Sequence, residues 1–294
     1  MPPLTPSAAR VFAVSCVGLS LVARLFAAES SAQELFEAAT RQFDLGNRSE
    51  AIELSTQAVR LEPTNATAYF VRGRFYELDA QPRRAVEDFT QAIALAPDVA
   101  MLYQHRGTER FKLSDFTGAI EDFDRYLARS PDQAPHHWQR GIAYYYAGQF
   151  VQGRQQFELH QTVNRHDVEN AVWHFLCVAR ISGLDQARRS LIPIEGDPRV
   201  PMKEIHALFA GQGSAEDVLK VASAGELSAE HQRRQLFYAH LYLGLYYEAT
   251  GDPRRTLDHL RKAAEDYRSN HSMGDVARVH LEKLLASKPV TSSP

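Results

Sequence analysis

The sequence is poor in cysteine, in long apolar runs and in charge of one sign. Cys16 and Cys177 are the only cysteines among its 294 residues. Cys16 lies in an N-terminal segment that we expect to be removed, so no internal disulfide is predicted. The 33 basic and 36 acidic residues give a formal net charge of −3, without any long run of like charge. A general electrostatic attraction to nucleic acid is therefore not expected.

Motifs for catalysis and for metal binding are also missing from the sequence. The twelve histidines include no His-Glu-x-x-His pair, and only one cysteine remains to join a zinc site. No Gly-x-Ser-x-Gly elbow occurs, and residues 211–213 lack the lysine and the spacing of a phosphate-binding loop. We therefore predict no catalytic residue, no metal ligand and no cofactor, and hence a protein that is not an enzyme.

Residues 1–32 have the pattern of an export signal. Arg10 precedes an apolar run, and small residues follow Arg24. A basic start, a short apolar core and a small-residue end are typical of a secretory signal peptide, so cleavage after Ala32 is predicted. The apolar run, about 13 residues long, is short for a membrane span. An uncleaved membrane anchor is the alternative that the sequence leaves open, and membrane association is expected only through such a segment.

Four residue types recur at intervals of 34 positions in the first half of the chain. Four independent series that share one period are very unlikely to arise by chance. The four series are Gly73, Gly107 and Gly141; Ala51, Ala85 and Ala119; Phe89, Phe123 and Phe157; and Pro63, Pro97 and Pro131.

This pattern resembles tetratricopeptide repeats, pairs of antiparallel helices with a 34-residue period. The resemblance implies that glycine lies where the two helices of a pair cross closely, alanine at a second close crossing, and phenylalanine in the gap between pairs. Proline is expected where the second helix of a pair ends, because it cannot continue a helix and disfavours helix in the residue before it. The resemblance implies an all-α fold, a solenoid of helical hairpins with an irregular helical segment in its middle. Four repeats are expected over residues 33–166. A degenerate repeat and irregular helices follow over 167–235. A C-terminal repeat that contains Gly244, with a capping helix, covers 236–287, and a disordered tail covers 288–294.

The first helices of successive repeats line a concave groove in this family, so the resemblance also implies a partner-binding surface. Repeat four departs from the pattern, since Gly153, His160 and Arg165 replace the alanine, a small residue and the proline. Aromatic side chains are frequent among the expected groove residues and are common in binding hot spots. The alternative for each ring is packing against a neighbouring repeat. The expected groove residues are Phe36, Phe70, Arg74, Gln104, Thr108, Phe111, Trp138, Ile142 and Tyr145.

The order of segments is similar to exported bacterial tetratricopeptide lipoproteins, which act as adaptors for a periplasmic protease and for cell-wall hydrolases. The resemblance implies a noncatalytic scaffold in the periplasm or outside the cell, with protein or peptide partners and no nucleic acid. Two other functions stay open. One is a structural subunit of an envelope or secretion assembly. The other is an enzyme, which would require a deep pocket with converging titratable groups in the middle segment. A homodimer is also left open.

Overall fold

The computed structural model describes residues 31–225 and 228–287, and within these ranges the ordered elements are helices and no strand occurs. The predicted all-α fold is therefore confirmed. None of the described helices is long and apolar enough to span a bilayer. Most of the predicted export signal, residues 1–30, lies outside the described residues, as does the predicted tail.

The helices are numbered here in chain order. A 3₁₀ helix precedes α7, at Pro131–His136, and a π-helical turn follows α14, at Lys262–Asp266. The α-helices α1 to α15 are Ala32–Asp44, Arg48–Leu61, Ala66–Leu78, Pro82–Leu95, Ala100–Lys112, Phe116–Arg129, Trp138–Tyr146, Phe150–Gln161, Val168–Ser182, Leu184–Arg189, Met202–Phe209, Ala215–Ala222, Ala229–Thr250, Pro253–Arg261 and Ser272–Ser287.

The chain divides into two compact units at Pro63. In the described part of the first unit, α1 packs against α2 and buries Ala39 and Ala51 completely. Ser31 begins α1 with a capping box, because its hydroxyl accepts a hydrogen bond from the Glu34 N–H while the Glu34 carboxylate accepts one from the Ser31 N–H. Such a box satisfies two backbone donors that the first helical turn leaves free.

In the second unit, α3 pairs with α4, α5 with α6, and α7 with α8. Glycine occupies the crossing point of each pair for a steric reason. A Cβ atom built on Gly73 would lie 2.8 Å from Cε1 of Phe89, and one on Gly107 would lie 2.7 Å from Cε1 of Phe123. A Cβ atom on Gly141 would likewise lie 2.7 Å from Cζ of Phe157. The recurring glycine and phenylalanine therefore form one packing unit, in which the ring occupies the space that a side chain would need.

The recurring prolines mark the ends of the second helices. α2, α4 and α6 each end two residues before a proline. The residue between helix and proline has left the helical conformation, with φ of −139° at Ala96 and −140° at Ser130. Proline thus stops each second helix at the same point, which keeps the lengths of successive pairs equal.

A second periodic feature joins the two helices of each pair. Arg72 donates two hydrogen bonds to the carboxylate of Asp88, at 2.8 and 2.7 Å. Arg106 and Asp122 repeat the pair at 2.8 and 2.7 Å, and Arg140 donates to Gln156 Oε1 at the corresponding place. Bidentate pairs of this kind fix the orientation of the two partners. Sequence analysis missed them, although the three arginines share the spacing of the glycines.

The remaining helices complete the second unit. α9 is buried on nearly every face, as its apolar sequence predicts, and Trp173, Phe175 and Leu176 are each about 1% exposed. α13 and α14 form a further pair, in which a Cβ on Gly244 would lie 2.6 Å from Cγ of Leu260. This late glycine therefore has the same role as those of the earlier pairs, with leucine in place of phenylalanine.

Candidate partner-binding face and an adjoining cavity

The predicted groove residues lie on the first helices of their pairs. Phe36 is buried in α1 of the first unit, and the other eight residues lie on α3, α5 and α7 of the second unit. Phe111, Ile142 and Tyr145 are buried, while the remaining five are half-buried. We call the surface that α3, α5 and α7 form with these eight residues the first-helix face. None of its predicted residues is freely exposed, which raises the question of what covers them.

The C-terminal helix α15 covers part of this face. The Arg278 guanidinium donates a hydrogen bond to the backbone carbonyl of Lys112 at 3.3 Å, and the Lys112 ammonium lies 3.8 Å from the carboxylate of Asp275. On α7, the hydroxyl of Tyr146 lies 2.8 Å from Nδ1 of His280. The sequence predicts a capping helix here, and the structure shows that this helix reaches back to α5 and α7. The long sequence separation of these contacts explains why no local pattern indicated them.

Beyond α15, the face carries a polar cluster at α3 and α5. Glu77 Oε2 lies 2.7 Å from the Arg74 guanidinium and 3.0 Å from Nδ1 of His105. Burial opposes ionisation of Glu77, but the hydrogen bonds and charges of His105 and Arg74 outweigh it and lower the pKa of this carboxyl. Glu109 is completely buried, and burial raises its pKa to about 7 despite the Lys112 ammonium at 2.6 Å.

A second network links α5 to α7. The backbone N–H of Arg140 donates to Nδ1 of His137, so the imidazole donates through Nε2 to the Gln104 carbonyl oxygen at 2.6 Å. Burial lowers the pKa of His137 to about 4, which keeps the ring neutral and suits both hydrogen bonds. The Gln104 amide also donates to Gln139 at 2.8 Å. Gln104 is therefore held in one orientation on the first-helix face.

A cavity of about 500 Å³ adjoins this face between α7, α8, α9, α13 and the start of α15. We call it the Trp cavity, since Trp138 and Trp173 both line it. The rings of Phe157 and Tyr238 form further parts of its wall, and Asn170 and His160 contribute polar groups. Sequence analysis assigned no function to these residues, apart from placing Trp138 in the groove.

An ion cluster forms one side of the Trp cavity. The Arg199 guanidinium donates to Asp167 at 2.7 Å, to Asp197 at 2.6 Å and to Glu169. Glu169 also accepts a hydrogen bond from the hydroxyl of Tyr242. Burial raises the pKa of Glu169 despite the Arg199 charge. Burial also opposes ionisation of Asp167, but the hydrogen bonds and charges of His160 and Arg199 outweigh burial and lower the pKa of this carboxyl. Three carboxylates surround one guanidinium, so the cluster carries a formal charge of −2 when all are ionised.

The irregularities of repeat four mark the position of this cavity. His160 replaces a small residue and lines the cavity, with its Nδ1 2.8 Å from the carbonyl oxygen of Pro135. Gly153 replaces alanine because a Cβ there would lie 2.9 Å from Sγ of Cys177. The departure from the repeat pattern is thus the sequence signal that could have located the cavity. Cys177 itself is buried, which raises the pKa of its thiol to about 12 and makes it a packing residue.

The arrangement of possible metal ligands can be read from the described residues. Among the described residues, no group of three or more His, Cys, Asp or Glu side chains is arranged to hold a metal ion. The cavity carboxylates of Asp167 and Glu169 are held by Arg199, by the Tyr242 hydroxyl and by the backbone N–H of Glu169.

Comparisons with known proteins agree with this architecture. A family model described as tetratricopeptide repeat matches residues 36–100, 79–134 and 105–162. The solved structure of a tetratricopeptide repeat protein from Parabacteroides merdae is 18% identical, covers 86% of this chain and 98% of its own, and gives a TM-score of 0.58. A MamA protein structure is 14% identical, with coverages of 67% and 98% and a TM-score of 0.52.

A third structure, MamA from Desulfovibrio magneticus, is 18% identical and covers 54% of this chain and 89% of its own, with a TM-score of 0.50. At these identities the likeness concerns the fold. No curated protein is significantly similar in sequence to this chain.

Proposed function

This chain is a tetratricopeptide-repeat protein across residues 36–162, and on that basis we propose that it is a noncatalytic scaffold that binds protein partners outside the cytoplasm. The partner is a segment of an exported protein, apolar with some charge, and it lies along the first-helix face. The role proposed for the chain itself is that of an adaptor for envelope proteases or cell-wall hydrolases.

The observation that carries the proposal is the position of α15. This helix of the chain itself lies on α5 and α7, with Val276 beside Phe111, Trp138 and Ile142. A face that accommodates an amphipathic helix within the chain has the shape and the apolar content to accommodate a helical segment of a partner, which is a recurrent mode of peptide recognition. We place the partner on the part of the face beyond α15, where Phe70, Arg74 and Gln104 are half-buried.

A pull-down with the purified mature protein from an envelope fraction, followed by titration with the purified partner, tests this placement. Arg74→Ala is expected to weaken binding about tenfold or more, the effect typical of a hot-spot residue. Arg83→Ala is the matched control, because Arg83 is exposed near the start of α4. Equal affinities for the two variants would place the partner on another surface, and thermal melting of both variants separates lost binding from lost folding.

Export is a separate part of the proposal and rests on the sequence of residues 1–32. Cleavage after Ala32 would remove Ser31 and with it the capping box of α1. N-terminal sequencing of the secreted protein therefore tests both the export signal and its cleavage point. A mature N-terminus before Ser31 would keep the cap, whereas an intact N-terminus would indicate the membrane-anchor alternative.

The Trp cavity gives the enzyme alternative a specific location. Titratable groups do converge there, as a catalytic site requires. Asp167, Glu169 and Arg199, however, bind one another, and Glu169 is further held by Tyr242. Groups that are fully engaged with each other suit a structural or ligand-binding role better than proton transfer. The geometry thus favours the scaffold, and absence of turnover with any captured partner is the expected result.

A further inference from the structure

Two histidines of the C-terminal repeat meet edge to edge. His240 lies on α13 and is 4% exposed, and His259 lies on α14 and is half-buried. Their Nδ1 atoms are 2.8 Å apart, and their ring centres are 5.0 Å apart. This centre distance is close to the greatest that a 2.8 Å contact between two ring atoms permits, so the two nitrogens point at each other. We call these two residues the histidine pair.

A hydrogen bond between two Nδ1 atoms limits the number of protons that the histidine pair can hold. In the uncharged pair one Nδ1 carries a hydrogen and the other presents its lone pair. A further proton on the accepting Nδ1 would place hydrogen against hydrogen. A further proton on Nε2 of the donating ring would keep the bond but create a cation in a buried site. When both rings are charged, both nitrogens are donors and the bond is lost, so the geometry suits the uncharged pair.

A tyrosine ring stacks on each imidazole of the pair. Tyr267 lies 5.2 Å from the His240 ring, and Tyr247 lies 5.4 Å from the His259 ring, measured between ring centres. Tyr247 belongs to α13, and its other contact is the Arg255 guanidinium, 4.9 Å from the ring centre. Tyr267 directly follows the π-helical turn. The four rings therefore hold α14 and this turn against α13.

The charged groups around the histidine pair also oppose its protonation. Burial is the largest cause that lowers the pKa of His240 to about 3, and the charges of His259 and Lys262 add to it. Burial together with Lys262 and Arg255 lowers the pKa of His259, and the carboxylate of Asp258 offsets only part of this effect. The two cations lie on α14 and the π-helical turn, so protonation of the pair would place like charges on the segments that the rings hold together.

We propose that the histidine pair is an acid-sensitive latch, which holds α14 and the π-helical turn against α13 in neutral solution and releases them in mildly acidic solution. Opening exposes both rings to water, where the ordinary histidine pKa of about 6.5 applies. Protons therefore bind the open form more tightly than the closed form. The latch is fully effective above pH 6.5 and weakens as the pH falls from 6.5 toward 3. This inference is independent of the proposed protein partner, since its test contains no partner protein.

Native-state hydrogen exchange of the full chain at pH 7.5 and pH 5.5 tests the latch. Dividing the intrinsic exchange rate at each pH by the measured rate gives the protection factor of each segment. The change in the pKa of His240 alone corresponds to roughly a tenfold loss of closing over this interval. We expect at least a tenfold loss of protection over residues 253–267 and no comparable loss in α4, because segments of one protein can open separately. Unchanged protection over 253–267, or an equal loss in α4, would overturn the proposal.

Variants assign the effect to the histidine pair. The double change His240→Gln with His259→Gln provides side chains that can bond to each other but do not titrate, so we expect less than a twofold difference between the two pH values. His166→Gln removes an exposed histidine and is the control, which should keep the native loss. Because His240 is buried, the single change His259→Gln is measured as well, and its loss should be at least twofold smaller than the native loss. A native-like loss in the double variant, or in His259→Gln where the double variant does not fold, would contradict the assignment.

Discussion

Glu109 is expected to make the stability of this protein decrease as the pH rises through neutrality. Its carboxyl is completely buried, with Oε1 accepting from Lys112 and Oε2 without a partner. Burial is the main cause that raises its pKa from the ordinary 4.5 to about 7, and the charges of Glu77 and Asp275 add to it. The folded state therefore binds this proton more tightly than the unfolded state does.

The sign and the size follow from proton linkage. Between pH 4.5 and 7 the folded protein holds a proton that the unfolded chain has lost, so the stabilisation from protonated Glu109 is fully present below pH 4.5 and is lost as the pH rises through 7. One pKa unit corresponds to about 1.4 kcal/mol, so the ionised carboxylate costs roughly 3 kcal/mol at pH 8. Glu109→Gln removes the ionisation. The free energy of unfolding of the variant, measured relative to that of the native protein, should therefore be higher at pH 8 than at pH 4.5.

Urea denaturation of both proteins, followed by circular dichroism from pH 4.5 to pH 8, measures this difference. Burial also lowers the pKa of His137 to about 4, which contributes stability above pH 6.5 that is lost as the pH falls toward 4. That effect is present in both proteins and cancels in the comparison. Glu121→Gln, at an exposed position of α6, is the control. Parallel stability curves for Glu109→Gln and the native protein would refute the reasoning.

Three further outcomes are expected. Gly107→Leu should lower the free energy of unfolding by roughly 1–3 kcal/mol or more, because its side chain would overlap the ring of Phe123, and an unchanged melting temperature would show that the helix crossing is misplaced. Tyr145 is 7% exposed, so the double change Trp138→Ala with Tyr145→Ala should lower the melting temperature, and unaltered melting with lost partner capture would instead favour a recognition role. A fusion of residues 1–32 to a reporter enzyme should be exported, and full-length fusion retained in the cytosol would contradict the export signal.

The repeat pattern predicted the fold because its residues act locally. Gly107 and Phe123 belong to one helical pair, and Pro131 stops the helix that precedes it. Each interaction depends on a short stretch of chain, so a period in the sequence is enough to place it. The Arg106–Asp122 pair has the same property and could have been predicted from the same period.

The site depends on contacts of another kind. Tyr146 and His280 are 134 positions apart in the chain, and no sequence spacing indicates which helix face an end segment will cover. The Trp cavity likewise combines α7, α9 and α13, with residues from His136 to Met273. Trp138 lies on α7, the first helix of its pair. Sequence analysis could not show that Trp173 borders the same cavity, because that proximity arises from packing of the irregular segment.

The return of α15 to α5 and α7 has a consequence for the order in which the protein can fold. In an open array each repeat contacts only its neighbours, so folding can begin at any point and spread from repeat to repeat. Here the hydrogen bond between Arg278 and the Lys112 carbonyl joins positions 166 residues apart, so the part of α5 and α7 that α15 covers stays uncovered until α15 has been synthesised. On the proposed export route, this delay would keep the central repeats from completing their fold before translocation, when a secreted chain must still be extended enough to cross the membrane.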